Sequence, residues 1–229
     1  MKKYFKTMEK CPLFKDISED QLENMLSCLN AKVIAVEKGS MIFEEGDPAK
    51  YVGLLLSGKI QIIRDDYYGN RTIMSYIEEG DLFGEVFACS DIDVYPVGSL
   101  AVQNSEVMLL DCKRILTSCS NACHFHSTLI KNLLSVVARK SMSLNQKIEF
   151  ITKRTTREKI LAYLMFEAKA QNSNEFYIPF DRQGLADFLN VDRSAMASEI
   201  SKLVNEGIIE TKKSGMVFSH TALNLDTRI

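Results

Sequence analysis

The strongest constraint in this sequence is a change of period. Between Val33 and Leu110 the apolar residues come in short β-rich runs: Val33–Val36, Ser40–Phe43, Val52–Leu56, Lys59–Arg64, Thr72–Tyr76, Ser99–Val102 and Val107–Leu110. Gly39, Gly46, Gly58, Gly69, Gly80 and Gly84 stand at or beside the breaks, where a positive φ is easily tolerated. Short, regular strands with turn signals predict a sandwich or roll. Ahead of them, Ser18 is placed to cap an amphipathic helix reaching Leu29, with Leu22, Met25, Leu26 and Leu29 on one face.

Beyond the roll the spacing becomes helical. Ile130, Leu134, Val137, Ser141, Leu144, Ile148 and Ile151 are separated alternately by four and three residues. This is a heptad seam, apolar except at Ser141. Such a stripe packs either on its own β-roll or against a copy of itself. It is narrow, and Arg139, Lys140, Asn145, Gln146 and Lys147 surround it. We read it as a parallel two-stranded dimer interface.

From Thr155 onward the pattern is that of a compact, α-rich domain. Thr155–Ala170 reads as a helix with Ile160, Leu161, Leu164 and Met165 inward, and Phe176–Pro179 as a short strand. Two short helices follow, Arg182–Leu189 and Arg193–Asn205, separated by Asn190-Val191-Asp192 and capped by Asp181 and Asp192. Ile208–Thr211 and Met216–Ser219 flank a Lys-Lys-Ser-Gly turn and read as a two-stranded wing.

Two short helices joined by a three-residue turn outline a helix-turn-helix. Ala186, Leu189, Val191, Met196, Ile200 and Leu203 supply its core, which leaves Arg193, Ser194, Ala195, Ser198 and Lys202 on the outer face. In such modules the start of the second helix enters the major groove. Arg193 suits bidentate contact with guanine or a phosphate, and the serines suit bases or backbone. Arg182, Gln183, Lys212 and Lys213 are candidates for positioning phosphates. A formal net charge of −2 on 229 residues excludes a chain coated in basic residues, but not a local basic stripe.

The ordered set of these pieces resembles the CRP/FNR family of bacterial transcription regulators from Leu13 to Phe218. In the roll the likeness rests on Lys38-Gly39-Ser40, Glu45-Gly46-Asp47, Leu54-Leu55-Leu56-Ser57-Gly58-Lys59 and Gly80-Asp81-Leu82-Phe83-Gly84-Glu85. In the reader it rests on residues 185–195 and on Glu206-Gly207-Ile208-Ile209. The resemblance implies an α+β chain in three parts. Residues 1–120 would form a double-stranded β-helix, a jelly-roll-like β-roll that senses an effector. Residues 121–153 would form a dimerisation helix, and residues 154–229 a winged helix-turn-helix. It also implies a homodimer on a palindromic DNA operator, switched by a small molecule, with RNA polymerase as a partner.

The departures concern the effector. Cyclic-AMP-binding members carry a phosphate-binding Arg-Ser pair whose register falls here on Tyr95-Pro96. Neither residue supplies a cation for a buried phosphodiester. Hydroxyl residues that read adenine on the long helix fall on Leu144 and Asn145, and the family's second recognition-helix arginine falls on Ser198. The expected effector is therefore an unidentified small molecule other than cyclic AMP, held near Gly84, Glu85, Val86, Tyr95, Pro96, Leu144 and Asn145. The iron–sulfur branch uses an N-terminal cysteine cluster, for which Cys11 and Cys28 are too few and too far apart.

An alternative sensor is Cys119, Cys123, His124 and His126, ligand types at close spacing, with Cys112 nearby. It would serve a metal-, haem- or redox-sensing regulator. No nucleophile–base spacing or phosphate-binding glycine loop points to an enzyme. Charged residues interrupt every apolar run and the six cysteines lack a disulfide-like spacing, so the expected setting is the cytoplasm, without a membrane.

Overall fold

The computed structural model describes residues 2–68, 71–90, 92–117, 124–178, 180–212 and 215–218. Two antiparallel four-stranded sheets and the helices packed on one of them make up the first of two compact units, Met1–Arg139; the second is Lys140–Ile229. The division falls inside the long helix α5.

In the first unit the strands are β1 (Lys32–Val36), β2 (Met41–Phe43), β3 (Tyr51–Ser57), β4 (Ile60–Asp65), β5 (Arg71–Ile77), β6 (Leu82–Phe83), β7 (Gly98–Ala101) and β8 (Ser105–Asp111). One sheet has the order β1-β8-β3-β6 and the other β2-β7-β4-β5, a jelly-roll-like arrangement. The predicted strands are all present, with ends moved by one or two residues; β6 is too short to show a period.

The unbroken apolar run in β3 follows from its position. Leu55 faces the other sheet, in a core with Val36, Phe43, Ile60, Phe83 and Val107, whereas Val52, Leu54 and Leu56 face outward into a second core. A strand covered on both faces has no polar alternation to show. Gly53 faces the phenyl ring of Phe83, which would lie 2.3 Å from an added Cβ.

The second core lies between this sheet and the helices α1 (Phe5–Lys10), α2 (Glu19–Cys28), α4 (Cys112–Leu116) and the first half of α5 (His124–Ile151). Ser18 and Gln21 form a reciprocal capping box at the start of α2. Leu129, Leu133 and Val136 of α5 are buried here, and Asn132 donates to the backbone oxygens of Leu13 and Lys15 at 3.0 and 2.7 Å. Helix α5 therefore carries two stripes. Leu133 is 3% exposed, while the next residue, Leu134, is 69% exposed. Of the heptad positions, Leu134, Ser141, Leu144 and Ile148 are exposed and Ile130, Val137 and Ile151 are half-buried.

The second unit contains α6 (Thr156–Ala170), α7 (Arg182–Leu189), α8 (Arg193–Asn205) and a small antiparallel sheet of order β10-β11-β9, where β9 is Glu175–Phe176, β10 Ile209–Lys212 and β11 Gly215–Phe218. Its core joins Phe150, Ile160, Tyr163, Leu164, Leu185, Leu189, Met196, Ile200 and Leu203. Two expectations are corrected. Met165 does not face inward: it is 41% exposed, and Tyr163 takes the inner position beside Phe150. The strand expected at 176–179 begins one residue earlier and ends at Phe176, where its pairing with β11 stops.

Candidate effector site and candidate nucleic-acid interface

The chain leaves β6 through Gly84, whose φ of 77° is left-handed, and enters the one-turn helix α3 (Glu85–Ala88). A Cβ at Gly84 would meet the Phe43 ring at 3.2 Å and the Tyr51 carbonyl oxygen and Tyr95 ring at 3.4 Å each. Glycine is thus required twice, by conformation and by close approach. Glu85 is buried, at 1% exposure, while Val86 faces solvent.

Tyr95 lies beside them, 2% exposed. Its Oη donates to the Tyr51 carbonyl at 2.5 Å and accepts from the Tyr51 N–H at 3.1 Å. Its ring stacks on Phe43, with centroids 4.5 Å apart and planes 11° apart, and meets Phe87 edge-on. Burial pushes the phenol up to about 12, so it is neutral at ordinary pH. The cluster is an aromatic plug in which the Tyr95 hydroxyl is committed to backbone. Pro96, next to it, is half-buried. Lys50, adjacent to Tyr51, faces Asp111 at 3.8 Å. Neither Tyr95 nor Pro96 supplies a cation to a phosphodiester at this position.

Of the expected effector residues, Gly84, Glu85, Tyr95 and Pro96 come together, while Leu144 and Asn145 are exposed on the half of α5 in the second unit. Sequence reasoning missed Phe43 and Phe87, which carry no motif. A separate open concavity of ≈ 330 Å³ is lined by Met41, Glu44, Glu45, Ile63, Asp65 and Arg71. There Arg71 is held by both oxygens of Asp65, each at 2.9 Å.

Cys119 and Cys123 lie outside the described residues, as do Gly69, Pro179, Lys213 and Ser219. His126 is buried and stacked on Phe125, and its Nδ1 has no hydrogen-bond partner among the described residues. No group of three His, Cys, Asp or Glu side chains among the described residues is placed to hold a metal ion. Cys112 meets Cys89.

In the second unit, α7 ends at Asn190, whose φ of 51° and ψ of 60° are left-handed. The Val191 N–H then reaches back to the Ala186 carbonyl at 3.0 Å, closing the helix. Two residues on, Asp192 caps α8, its Oδ1 accepting from the N–H groups of Ser194 and Ala195 at 2.8 and 3.0 Å. Met196, Ile200 and Leu203 are buried, and Arg193, Ser194, Ala195, Ser198 and Lys202 are exposed on the opposite face. The Ser194 hydroxyl donates to Asp192 at 2.5 Å, and Lys202 pairs with Glu199. Arg182 is exposed at the start of α7, and Gln183 donates to Asp187 at 2.8 Å. Lys212 ends β10. Arg157 of α6 grips both oxygens of Glu206, the residue that ends α8.

These features define a class: a jelly-roll-like domain followed by a small helical unit. Residues 33–121 match the family model of the cyclic nucleotide-binding domain, and the chain is similar to transcription regulators of the CRP/FNR type. Among its relatives, the Cyclic AMP receptor protein of Thermus thermophilus is 21% identical over 205 residues, 88% of this chain and 89% of the relative. The Transcriptional activator protein FnrA of Stutzerimonas stutzeri is 20% identical over 182 residues, 77% of this chain and 72% of the relative. The solved structure of DNR from Pseudomonas aeruginosa shares the fold with a TM-score of 0.52 at 22% identity, over 98% of each chain. The c-di-GMP-responsive regulator CLP of Xanthomonas campestris does so with a TM-score of 0.57 at 17% identity, over 88% of this chain and 99% of that one. Among the described residues no helix is long and apolar enough to cross a membrane.

Proposed function

We propose that the chain is a sequence-specific DNA-binding transcription regulator that acts as a homodimer. Its three functional parts are a β-roll sensor (1–120), a dimerisation helix (121–153) and a winged helix-turn-helix (154–229). The observation that carries this is the polarity of α8: Met196, Ile200 and Leu203 are buried while Arg193, Ser194, Ser198 and Lys202 face solvent. A helix held this way, after a three-residue turn, has the layout that places its N-terminal residues in a major groove. Arg193 has no hydrogen-bond or ion-pair partner among the described residues, so it is available to guanine or phosphate. Arg182, Gln183, Lys212 and Lys213 would position the backbone.

The exposed stripe on α5 supports a parallel dimer, because Leu134, Leu144 and Ile148 leave large apolar surface in water when the chain is alone. Two reading heads about 34–36 Å apart would select a palindrome. The roll would hold a small effector near Gly84 and Glu85, and the Tyr95 plug argues that it is not cyclic AMP. Binding would act by favouring one of two helix arrangements. RNA polymerase is the partner such a regulator would contact.

The test is selection of bound duplexes from a random pool, followed by a salt titration on the winner. A palindrome whose affinity falls steeply with salt supports the reading. Failure to enrich any sequence, both alone and with cell-extract small molecules, would sink it.

A further inference from the structure

Two thiols in the first unit belong to no part of that reading. Cys89 ends α3, four residues after Glu85, and Cys112 opens α4 directly after β8. Their Sγ atoms are 2.8 Å apart, closer than two sulfurs in ordinary van der Waals contact, and both are free cysteines. Cys112 is buried and Cys89 is partly exposed. A disulfide needs about 2.05 Å between sulfurs, so closure asks for a side-chain movement of less than an ångström. The shared contact pulls the Cys89 thiol down and, together with burial, pushes the Cys112 thiol up. The accessible member is thus also the better thiolate. Glu85 and Asp111 are the carboxylates near the pair, and the Tyr95 phenol also lies close to both sulfurs.

We propose that Cys89 and Cys112 form a dithiol that hydrogen peroxide closes to an intramolecular disulfide, pinning α3 and its Glu85 to the corner between β8 and α4. The Cys89 thiolate attacks one peroxide oxygen and the O–O bond breaks. The departing hydroxide takes up the proton that Cys89 released, giving water and a sulfenic acid on Cys89. Cys112 then loses its proton as its sulfur attacks the Cys89 sulfur. The S–O bond breaks, and the leaving hydroxide takes that proton as a second water. Two electrons pass from the sulfurs to one peroxide, so two thiols and hydrogen peroxide become one disulfide and two waters. The disulfide would tie the buried end of the candidate effector site to the segment leading into α4. The inference does not depend on DNA binding.

The test uses the full chain. Reduced protein is treated with hydrogen peroxide, denatured in N-ethylmaleimide and digested without reductant. The expected product is a cross-linked peptide joining Cys89 to Cys112, lighter by two hydrogens and restored to two alkylated thiols by dithiothreitol. Amide exchange over residues 85–89 should slow on oxidation and recover on reduction. In Cys112→Ser the chemistry should stop at a Cys89 sulfenic acid that dimedone traps. Both thiols remaining alkylatable after peroxide would overturn the proposal. So would conversion of Cys89 to sulfinic acid without a cross-link, or a disulfide from either residue to Cys119 or Cys123. Unchanged exchange in a cross-linked protein would overturn the pinning. The unsubstituted chain carries the deciding measurements, so a variant that fails to fold does not remove the answer.

Discussion

The phenol of Tyr95 meets the backbone of Tyr51 twice, donating to its carbonyl at 2.5 Å and accepting from its N–H at 3.1 Å. Strand β6 pairs with β3 only at Gly53 and Leu54. At Tyr51 a side chain does the work of the missing strand. Tyr95→Phe keeps the ring stack but leaves two backbone groups without this partner, and should cost about 1–3 kcal/mol in urea denaturation. Folded Tyr95 titrates at about 12, above its unfolded value. Its contribution should be complete below about pH 10 and lost as pH rises toward 12, and Tyr95→Phe should lack that alkaline loss.

Cyclic AMP at millimolar concentration should leave the melting temperature of the chain unchanged, since the cluster around Tyr95 supplies no cation for the phosphate. A saturable rise in melting temperature would refute this assignment of the pocket.

Asn190 allows the turn between α7 and α8 because its backbone is left-handed, with φ at 51°. Asn190→Gly should be close to neutral, whereas Asn190→Val should cost about 1–2 kcal/mol, the penalty for a Cβ in that region. Paired urea melts of the two variants separate backbone strain from loss of the amide side chain.

Asp192 ties α8 to the same turn. Ser194, through its hydroxyl, then the backbone N–H groups of Ala195 and Ser194 hold the carboxyl below its ordinary value. A depressed carboxyl stabilises the fold above its unfolded value near pH 4 and loses that contribution as pH falls through the folded value. Acid melts of Asp192→Asn should have a flatter slope below about pH 5. Asp192→Ala should also melt earlier at pH 7, having lost the cap.

The two stripes of α5 should have opposite phenotypes. Leu133→Ala, on the buried stripe, should cost about 2–5 kcal/mol without changing oligomeric state. Leu144→Glu with Ile148→Glu, on the stripe that is 62% and 52% exposed, should leave the fold intact and convert a dimer to a monomer by sedimentation. A dimeric double variant would place the interface elsewhere.

In the selected duplex, Arg193→Ala should cost about 1–3 kcal/mol and relax preference at one base position. Lys202, already paired with Glu199, should matter less and uniformly: Lys202→Ala should lower the salt slope by no more than about one.

Much of this architecture is legible along the chain because spacing reports geometry within an element. The strand runs, the length of α5, and the caps at Ser18, Asp181 and Asp192 each depend on residues a few positions apart. The same locality limits the reading. Helices α3 and α4 and strand β6 are too short to display a period, and nothing in the spacing of α6 distinguishes Tyr163 from Met165 as the inward residue. The seven heptad positions are visible on α5, but the second apolar stripe is recognisable only once Leu129, Leu133 and Val136 are seen against the sheet and α1 and α2. By itself, then, the sequence determined the longer strands and helices, their caps, and which face of α8 is polar. Tertiary packing alone decided that Phe43, Tyr51, Gly84 and Tyr95 form one plug and that Cys89 lies against Cys112. Those contacts join residues far apart in the chain, and their distances are set by how sheet and helices stack rather than by any repeat the chain carries.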